Sequence, residues 1–447
     1  MPPILTLRTA KLILCIIVAA VAGLITVYAN LRHAGHSSSD PNALKLLREA
    51  YSAVLQSYIE KPDSNKLVLK MVDGMLAALD PHSAYLPPEP YHDMEVQMSG
   101  SFGGVGIELG TKDGKLTVIA PIEDTPAFRA GIQANDQITK IDKSPTNGMN
   151  IAAAVKMMRG EKGTPVTLTI MRAENARPLV FKLVRDIIKL KSLKSRLLDS
   201  GYGYIRISQF QERTGSEFRD ALKELHVKSG GSLKGLILDL RYNPGGLINS
   251  CVEVANCFIG TDINHTVIVS IKGRTPAANH VYNATVGDKE PRYPMVVLIN
   301  GGSASASEIV AGALQDHKLA IIMGTQSFGK GSVQSIIPMK GKAALKLTTA
   351  RYYTPNGRSI QAKGIVPDAE VLNIIPLPAK EKGMEIKEKD LEKSLASDGK
   401  KDAEQPKKQE LTHGGVVIDT DPKKDYQLRR ALELLQSVNA LKEKGFQ

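Results

Sequence analysis

Three apolar runs, each ending in glycine and small polar residues, limit this chain more than any other feature. Residues 236–240 run into Asn243-Pro244-Gly245-Gly246. Residues 296–299 run into Gly301-Gly302-Ser303-Ala304-Ser305-Ala306-Ser307-Glu308. Residues 320–323 run into Gly324-Thr325-Gln326-Ser327-Phe328-Gly329-Lys330-Gly331. Apolar runs that alternate with helical periods predict crossover units and a largely buried parallel sheet. In such a sheet, sites form beyond the carboxyl ends of the strands, so the three turns are predicted to share one crevice. Glycines there let backbone N–H groups approach a reacting carbonyl, and a helix starting after the turn adds its positive end. Three ordinary strand-to-helix turns would read similarly one at a time. Three together, carrying several serines and a lysine, are less bland.

The α/β pattern covers residues 189–376. Upstream, residues 100–188 are β-rich: strands are predicted at 106–110, 115–120, 137–141 and 166–172, and a helix at 150–159. Residues 41–99 hold two helices, 42–60 and 66–79. Leu47, Tyr51, Val54 and Tyr58 fall at helical steps on the first. Residues 377–412 read as a charged linker. Within 380–410 there are nine Lys and nine acidic residues, so the signs cancel and the stretch is expected to be solvated. Residues 413–447 end in a helix, about 425–442, with Leu428, Leu432, Leu435 and Val438 on its apolar face. Both terminal helices are candidates for homo-oligomerisation, and both fit packing on their own protomer.

Residues 1–40 carry Arg8 and Lys11 before an apolar run, 12–28, which is the export pattern. A cleaved signal and a retained membrane anchor both fit, and either keeps the N-terminus cytoplasmic. The expected location is therefore the periplasm or the outer face of the inner membrane. The net charge of +12 is scattered and reads as solubility. There is no Trp and aromatics make up 5%, which disfavours a base-stacking nucleic-acid reader. Cys15, Cys251 and Cys257 form neither CxxC nor a zinc spacing, and no disulfide is expected.

Residues 324–330 match the G-x4-G-K phosphate-loop core. Gly331 stands where the magnesium-binding Ser or Thr belongs, and residues 332–337 read as a strand where a phosphate loop opens a helix. Ser327–Lys330 matches S-x-x-K, but no S-D-N or K-T-G accompanies it. His317 would lie roughly 18 Å along a helix from Ser305 at 1.5 Å per residue, too far to serve it. No HExxH occurs, so neither a metal nor another cofactor is expected. Lys330 remains as a base for a serine, an established variant of nucleophilic catalysis. A free lysine has a pKa of about 10.4, so half-neutrality at pH 7 needs a depression of about 3.4, roughly 4.6 kcal/mol. Burial can supply that. On local evidence alone, a solvated loop lysine fits equally well.

The serine run with Phe328-Gly329-Lys330-Gly331-Ser332-Val333-Gln334 closely resembles the carboxy-terminal processing (tail-specific) serine peptidases. Leu238-Asp239-Leu240-Arg241-Tyr242-Asn243-Pro244-Gly245-Gly246-Leu247 and Leu79-Asp80-Pro81-His82-Ser83 resemble two further blocks of that family. Gly103-Gly104-Val105-Gly106-Ile107, Thr125-Pro126-Ala127, Ala130-Gly131-Ile132 and Asp136 look like PDZ elements. The resemblance spans about residues 42–368. It implies a mixed α/β peptidase core with a crotonase-like ββα sheet, an inserted β-rich PDZ domain and helical termini. It further implies Ser305 as nucleophile, 25 residues before Lys330 as base, with Gln334 orienting the lysine amine. The Ala306 amide and one amide of the Gly245-Gly246 pair would hold the oxyanion; the sequence leaves that pair open. The loop Gly103, Gly104, Val105, Gly106, Ile107 would bind the chain end of a protein substrate with an exposed C-terminus, although Glu108 stands nearby, and the insert reads equally as a lid. The competing function class is a PDZ-based binding scaffold with an inactive peptidase fold.

Overall fold

The computed structural model describes residues 41–173, 177–198, 201–260, 266–287, 289–372, 387–390 and 421–445. The apolar run at 12–28, and with it the export and anchor expectation, lies outside the described residues. No helix among them is long and apolar enough to cross a membrane.

The described residues up to Gly74 form a unit of their own, with α1 (Pro41–Ser57) and α2 (Ser64–Ala77), the latter running on past its limit. Leu44, Leu47 and Val54 of α1 are exposed.

The second unit begins with β1 (Ala84–Leu86) and α3 (Pro88–Ser99). The chain then leaves for the insert through β2 (Ser101–Gly104). It returns through β9 (Asp186–Lys189), antiparallel to β2 with Phe102 opposite Ile188. Between them lie β3 (Ile107–Lys112), β4 (Lys115–Pro121), α4 (Pro126–Arg129), β5 (Gln137–Ile141), β6 (Ser144–Pro145), α5 (Ile151–Met158), β7 (Pro165–Met171) and β8 (Leu179–Val184). The strands form an antiparallel sheet in the order β3-β4-β5-β7-β8, with β6 on β5. Val105, Val118, Ile138, Ala154, Met158 and Leu168 fill its core.

The larger part follows: β10 (Leu193–Leu198), β11 (Tyr202–Ile207), α6 (Thr214–Lys228), β12 (Gly235–Asp239), α7 (Ile248–Asn256), β13 (Val267–Gly273), β14 (His280–Asn283), β15 (Met295–Ile299), α8 (Ala306–Asp316), β16 (Ile321–Gly324), β17 (Ser332–Met339), β18 (Ala343–Tyr353), β19 (Ala369–Glu370) and α9 (Tyr426–Glu443). One sheet runs β10-β11-β12-β15-β16-β19 and is parallel from β11 onward. Alternate residues point to opposite faces. Leu236, Leu238 and Ile299 meet α6, α7 and α8 on one face. Ile237, Val296 and Leu298 meet Leu428, Ala431 and Leu435 of α9 on the other. Each fully buried leucine of α9 contributes about 1.5–3 kcal/mol. Leu428 and Leu435 of the C-terminal helix are therefore covered by its own sheet, while Leu432 and Val438 are half-buried. A second, antiparallel sheet runs β1-β18-β13-β14, with β17 also on β18.

Two expectations are corrected. The stretch read as a solvated linker contains Glu388, which is 0% exposed. The remainder of 377–412, except 387–390, lies outside the described residues. Gly103 and Gly104 belong to strand β2, opposite Ile187 and Asp186, and not to a loop. Cys251 and Cys257 are free and buried; burial pushes the Cys257 thiol up to about 11, which leaves it unreactive.

Candidate active site

The three turns after β12, β15 and β16 are stitched together by hydrogen bonds. The Ala304 amide donates to Asn243 O at 3.0 Å, and the Phe328 amide to Ser303 O at 3.0 Å. The Tyr242 amide donates to Asn300 Oδ1 at 2.9 Å. The three turns meet at the strand ends, with each turn supporting the next.

Ser305 is the N-cap of α8, with φ 55° and ψ −112°. A side chain held in such a region costs about 1–3 kcal/mol, which the surrounding contacts must offset. The result is a hydroxyl at the tip of a sharp strand-to-helix turn. Its two look-alikes are occupied. Ser303 Oγ donates to Leu240 O at 2.8 Å, and Ser307 Oγ to Asn243 O at 2.9 Å. Both are fully buried, whereas Ser305 retains 7% exposure. The Ser305 hydroxyl instead meets the Tyr352 side chain.

Glu308, which sequence reasoning passed over as a site residue, ties the serine turn to the lysine turn. Its Oε2 accepts the Ser305 amide at 2.7 Å and the Lys330 amide at 3.0 Å. Its Oε1 accepts Ser327 Oγ at 2.5 Å and the Gly329 amide at 2.7 Å. Burial pushes its carboxyl up to about 7 despite these four donors. The S-x-x-E spacing of a capping box was the signal that marked it.

Lys330 sits after Gly329, whose φ of 99° turns the chain into β17. Burial lowers the lysine to about 8, and the neighbouring Lys346 acts in the same direction; Glu388, Glu308 and Asp80 oppose them. Gln334 lies at a bulge in β17. Its Nε2 donates to Ser332 Oγ at 2.9 Å and to Thr348 Oγ1 at 3.3 Å. Among the described residues, neither Gln334 nor any other side chain hydrogen-bonds the Lys330 amine. His317 caps the far end of α8, with Nε2 2.8 Å from Val267 O.

The glycine pair is divided by its bonding. The Gly245 amide donates to Asn243 Oδ1 at 2.9 Å. Gly245 O accepts from Phe210, and Phe210 O from Leu247. Among the described residues, the Gly246 amide has no acceptor.

Against known proteins, the chain is 44% identical over 404 residues to the carboxy-terminal-processing protease of Bartonella bacilliformis, covering 90% of each. The chain belongs to the carboxy-terminal-processing proteases. Peptidase family S41 matches residues 201–371, and a PDZ domain family matches residues 103–183. A probable CtpA-like serine protease of Staphylococcus aureus is 36% identical over 369 residues, covering 81% of this chain and 73% of that protein. Among solved structures, the photosystem II D1 C-terminal processing protease is 28% identical, with a TM-score of 0.41 over 73% of this chain and 92% of that one.

This carboxy-terminal-processing protease is thus a serine-type peptidase with an embedded PDZ domain. In that domain, β3 is an edge strand, paired on one side with β4. Val105 O accepts the Ala127 amide, and Gly106 O accepts the Ile122 amide and Thr125 Oγ1. The amides of Val105 and Gly106 have no acceptor among the described residues.

Sequence reasoning also missed a buried network behind the glycine turn. Arg241 donates to both oxygens of Asp239, at 3.0 and 2.7 Å, and to both of Asp425, at 3.0 and 2.6 Å. Gln427 accepts from it at 3.0 Å. Burial alone would raise Asp239, but Arg241 holds it below the ordinary carboxyl range. No local motif ties positions 184 apart, so nothing in the sequence exposed this clamp.

Proposed function

We propose that the chain is a cell-envelope endopeptidase that cleaves proteins near their C-termini with a Ser305–Lys330 pair. The observation that carries this reading is the selection of Ser305. It is the serine of its run with a hydroxyl not bound to a main-chain carbonyl, on a strained turn joined to the lysine turn through Glu308.

Neutral Lys330 takes the Ser305 proton as Oγ attacks the scissile carbonyl carbon. The oxyanion that forms accepts hydrogen bonds from the Ala306 and Gly246 amides; Gly246 is preferred because the Gly245 amide already has Asn243. The Lys330 ammonium returns its proton to the leaving amine, and the peptide C–N bond breaks. Water, deprotonated by Lys330, then hydrolyses the acyl ester and regenerates Ser305. Gln334 supports this step by fixing the strand that follows Lys330, through Ser332 and Thr348.

The substrate's chain end extends along the free edge of β3. Its carboxylate meets the open amides of Val105 and Gly106. The basic and apolar N-terminal segment supports export to the periplasm or the outer face of the inner membrane. The exposed Leu44, Leu47 and Val54 of α1 support pairing with a second copy. The test is cleavage of an unstructured protein with an apolar tail by wild type, Ser305→Ala and Lys330→Arg. Turnover by either variant near the wild-type rate overturns the mechanism.

A further inference from the structure

Glu388 is a glutamate in a stretch rich in charges, and nothing in the pattern singles it out. A carboxyl group leaves water only where partners replace the solvent. Here they do. His82 Nε2 lies 2.9 and 2.7 Å from its two oxygens. Gln361 Nε2 donates to Oε1 at 2.9 Å.

The turn that carries Glu388 also holds the main chain on both sides of Lys330. The Glu388 amide donates to Phe328 O at 3.1 Å. Gln361, the side chain that holds the Glu388 carboxyl, accepts the Gly331 amide through Oε1 at 3.0 Å. Gly331 is packed so tightly on that residue that a Cβ would stand 2.8 Å from Gln361 Cα. Lys387 Nζ adds a bond to Gln326 Oε1 at 3.0 Å.

We propose that Glu388 is a positioning residue for Lys330: its turn, with Gln361, clamps the lysine loop from both sides while His82 and Gln361 hold its carboxyl in place. The inference rests on the Ser305–Lys330 reading. Four charged groups act on the amine. Lys346 of β18 favours loss of the proton, as burial does; Glu388, Glu308 of α8 and Asp80 before β1 favour its retention, with Glu388 first among the three. A base works best when its proton affinity lies near the working pH, so Glu388 offsets part of what burial and Lys346 remove.

The experiment follows kcat/KM against pH for the full chain as wild type, Glu388→Gln, Glu388→Ala and Lys330→Arg, with thermal unfolding of each. Glu388→Gln keeps the shape and can still bond His82 and Gln361. Its ascending limb should move to lower pH by about half a unit or more, because an attractive charge near the lysine has gone. Glu388→Ala should move the limb the same way and also lower kcat, with KM little changed. If Glu388→Ala fails to fold, Glu388→Gln decides alone. An unmoved limb in Glu388→Gln, with Lys330→Arg inactive, overturns the proposal and leaves the Ser–Lys reading standing, whatever happens to the rate. Turnover by Lys330→Arg overturns both.

Discussion

Gly245 lies directly against Ser305: a Cβ on the glycine would stand 2.8 Å from the serine Cβ. It would also stand 2.8 Å from Ala304 O and 3.0 Å from the Ala306 amide. With φ at 104°, the position is unfavourable for any side chain even without these neighbours. Gly245→Ala should push the glycine turn away from the nucleophile and withdraw the Gly246 amide. The expected loss is about 10²–10³-fold in kcat, the scale of one oxyanion donor, with KM little affected. Steady-state kinetics on the folded variant measures this; a rate within a factor of about two of wild type would remove Gly246 from the oxyanion role.

The three neighbouring serines separate by partner. Ser305→Ala should abolish cleavage and leave thermal unfolding nearly unchanged. Ser303→Ala and Ser307→Ala each remove a bond to a buried carbonyl and should lower stability by about 0.5–1.5 kcal/mol while retaining turnover. Unfolding curves and cleavage assays on the three variants check the pattern. Inactive Ser303→Ala with active Ser305→Ala would reassign the nucleophile.

The pH profile follows from Lys330 lying at about 8. Its neutral form is the base, so the proton must be lost before catalysis. Activity should therefore rise about tenfold per pH unit well below that value and level off above it. Lys330→Arg, which cannot lose its proton, should be as inactive as Lys330→Ala. A profile that falls between pH 7 and 9 in a stable enzyme would contradict this assignment.

Glu308 accepts two donors at each oxygen. An amide in its place turns an NH2 toward two of them whichever way it flips. Glu308→Gln should therefore cost about 1–3 kcal/mol or more in stability and loosen Ser305 and Lys330 together. The measurements are chemical denaturation and kcat. Wild-type values of both would show that the buried carboxyl is dispensable. The wild-type carboxyl is raised to about 7, above its unfolded value of 4.5. Its contribution to stability is thus fully present below about 4.5 and is lost as pH rises toward 7. Glu308→Gln should lack that component.

Capture of the chain end is testable by charge removal. Hydrogen bonds to a charged group contribute about 1.5–3 kcal/mol each. A C-terminally amidated substrate should bind the full-length Ser305→Ala protein about tenfold or more weakly than the free acid, because about 1.4 kcal/mol is a factor of ten. Titration of both peptides measures it. Equal affinities would remove carboxylate capture and leave the chemistry at Ser305 untouched.

The sheet and its three meeting turns were legible because their signals are local. Apolar runs ending in glycine fix strand, turn and buried face within a few residues. What escaped depends on contacts distant in sequence. Gln334 could be placed on a strand, but its choice of Thr348 over Lys330 depends on a β17–β18 bulge that no period reveals. Gly103 and Gly104 read as loop from their resemblance to PDZ elements, yet β9 returns to pair with them. Glu388 looked solvated because its neighbours are charged; His82, 306 residues away, is what takes it out of water.

The Arg241 clamp has a consequence for the order in which the molecule is completed. Asp425 and Gln427 lie at the start of the last helix, yet they hold the residue that precedes the glycine turn by a few positions. While the chain is being synthesised, Arg241 has Asp239 but lacks its other carboxylate until Asp425, 184 residues downstream, has left the ribosome. The sheet can assemble earlier, since its strands lie upstream. The turn that faces the nucleophile reaches its final form only when the C-terminal helix docks, so a nascent chain carries the serine and the lysine before it has a finished cradle for the reaction.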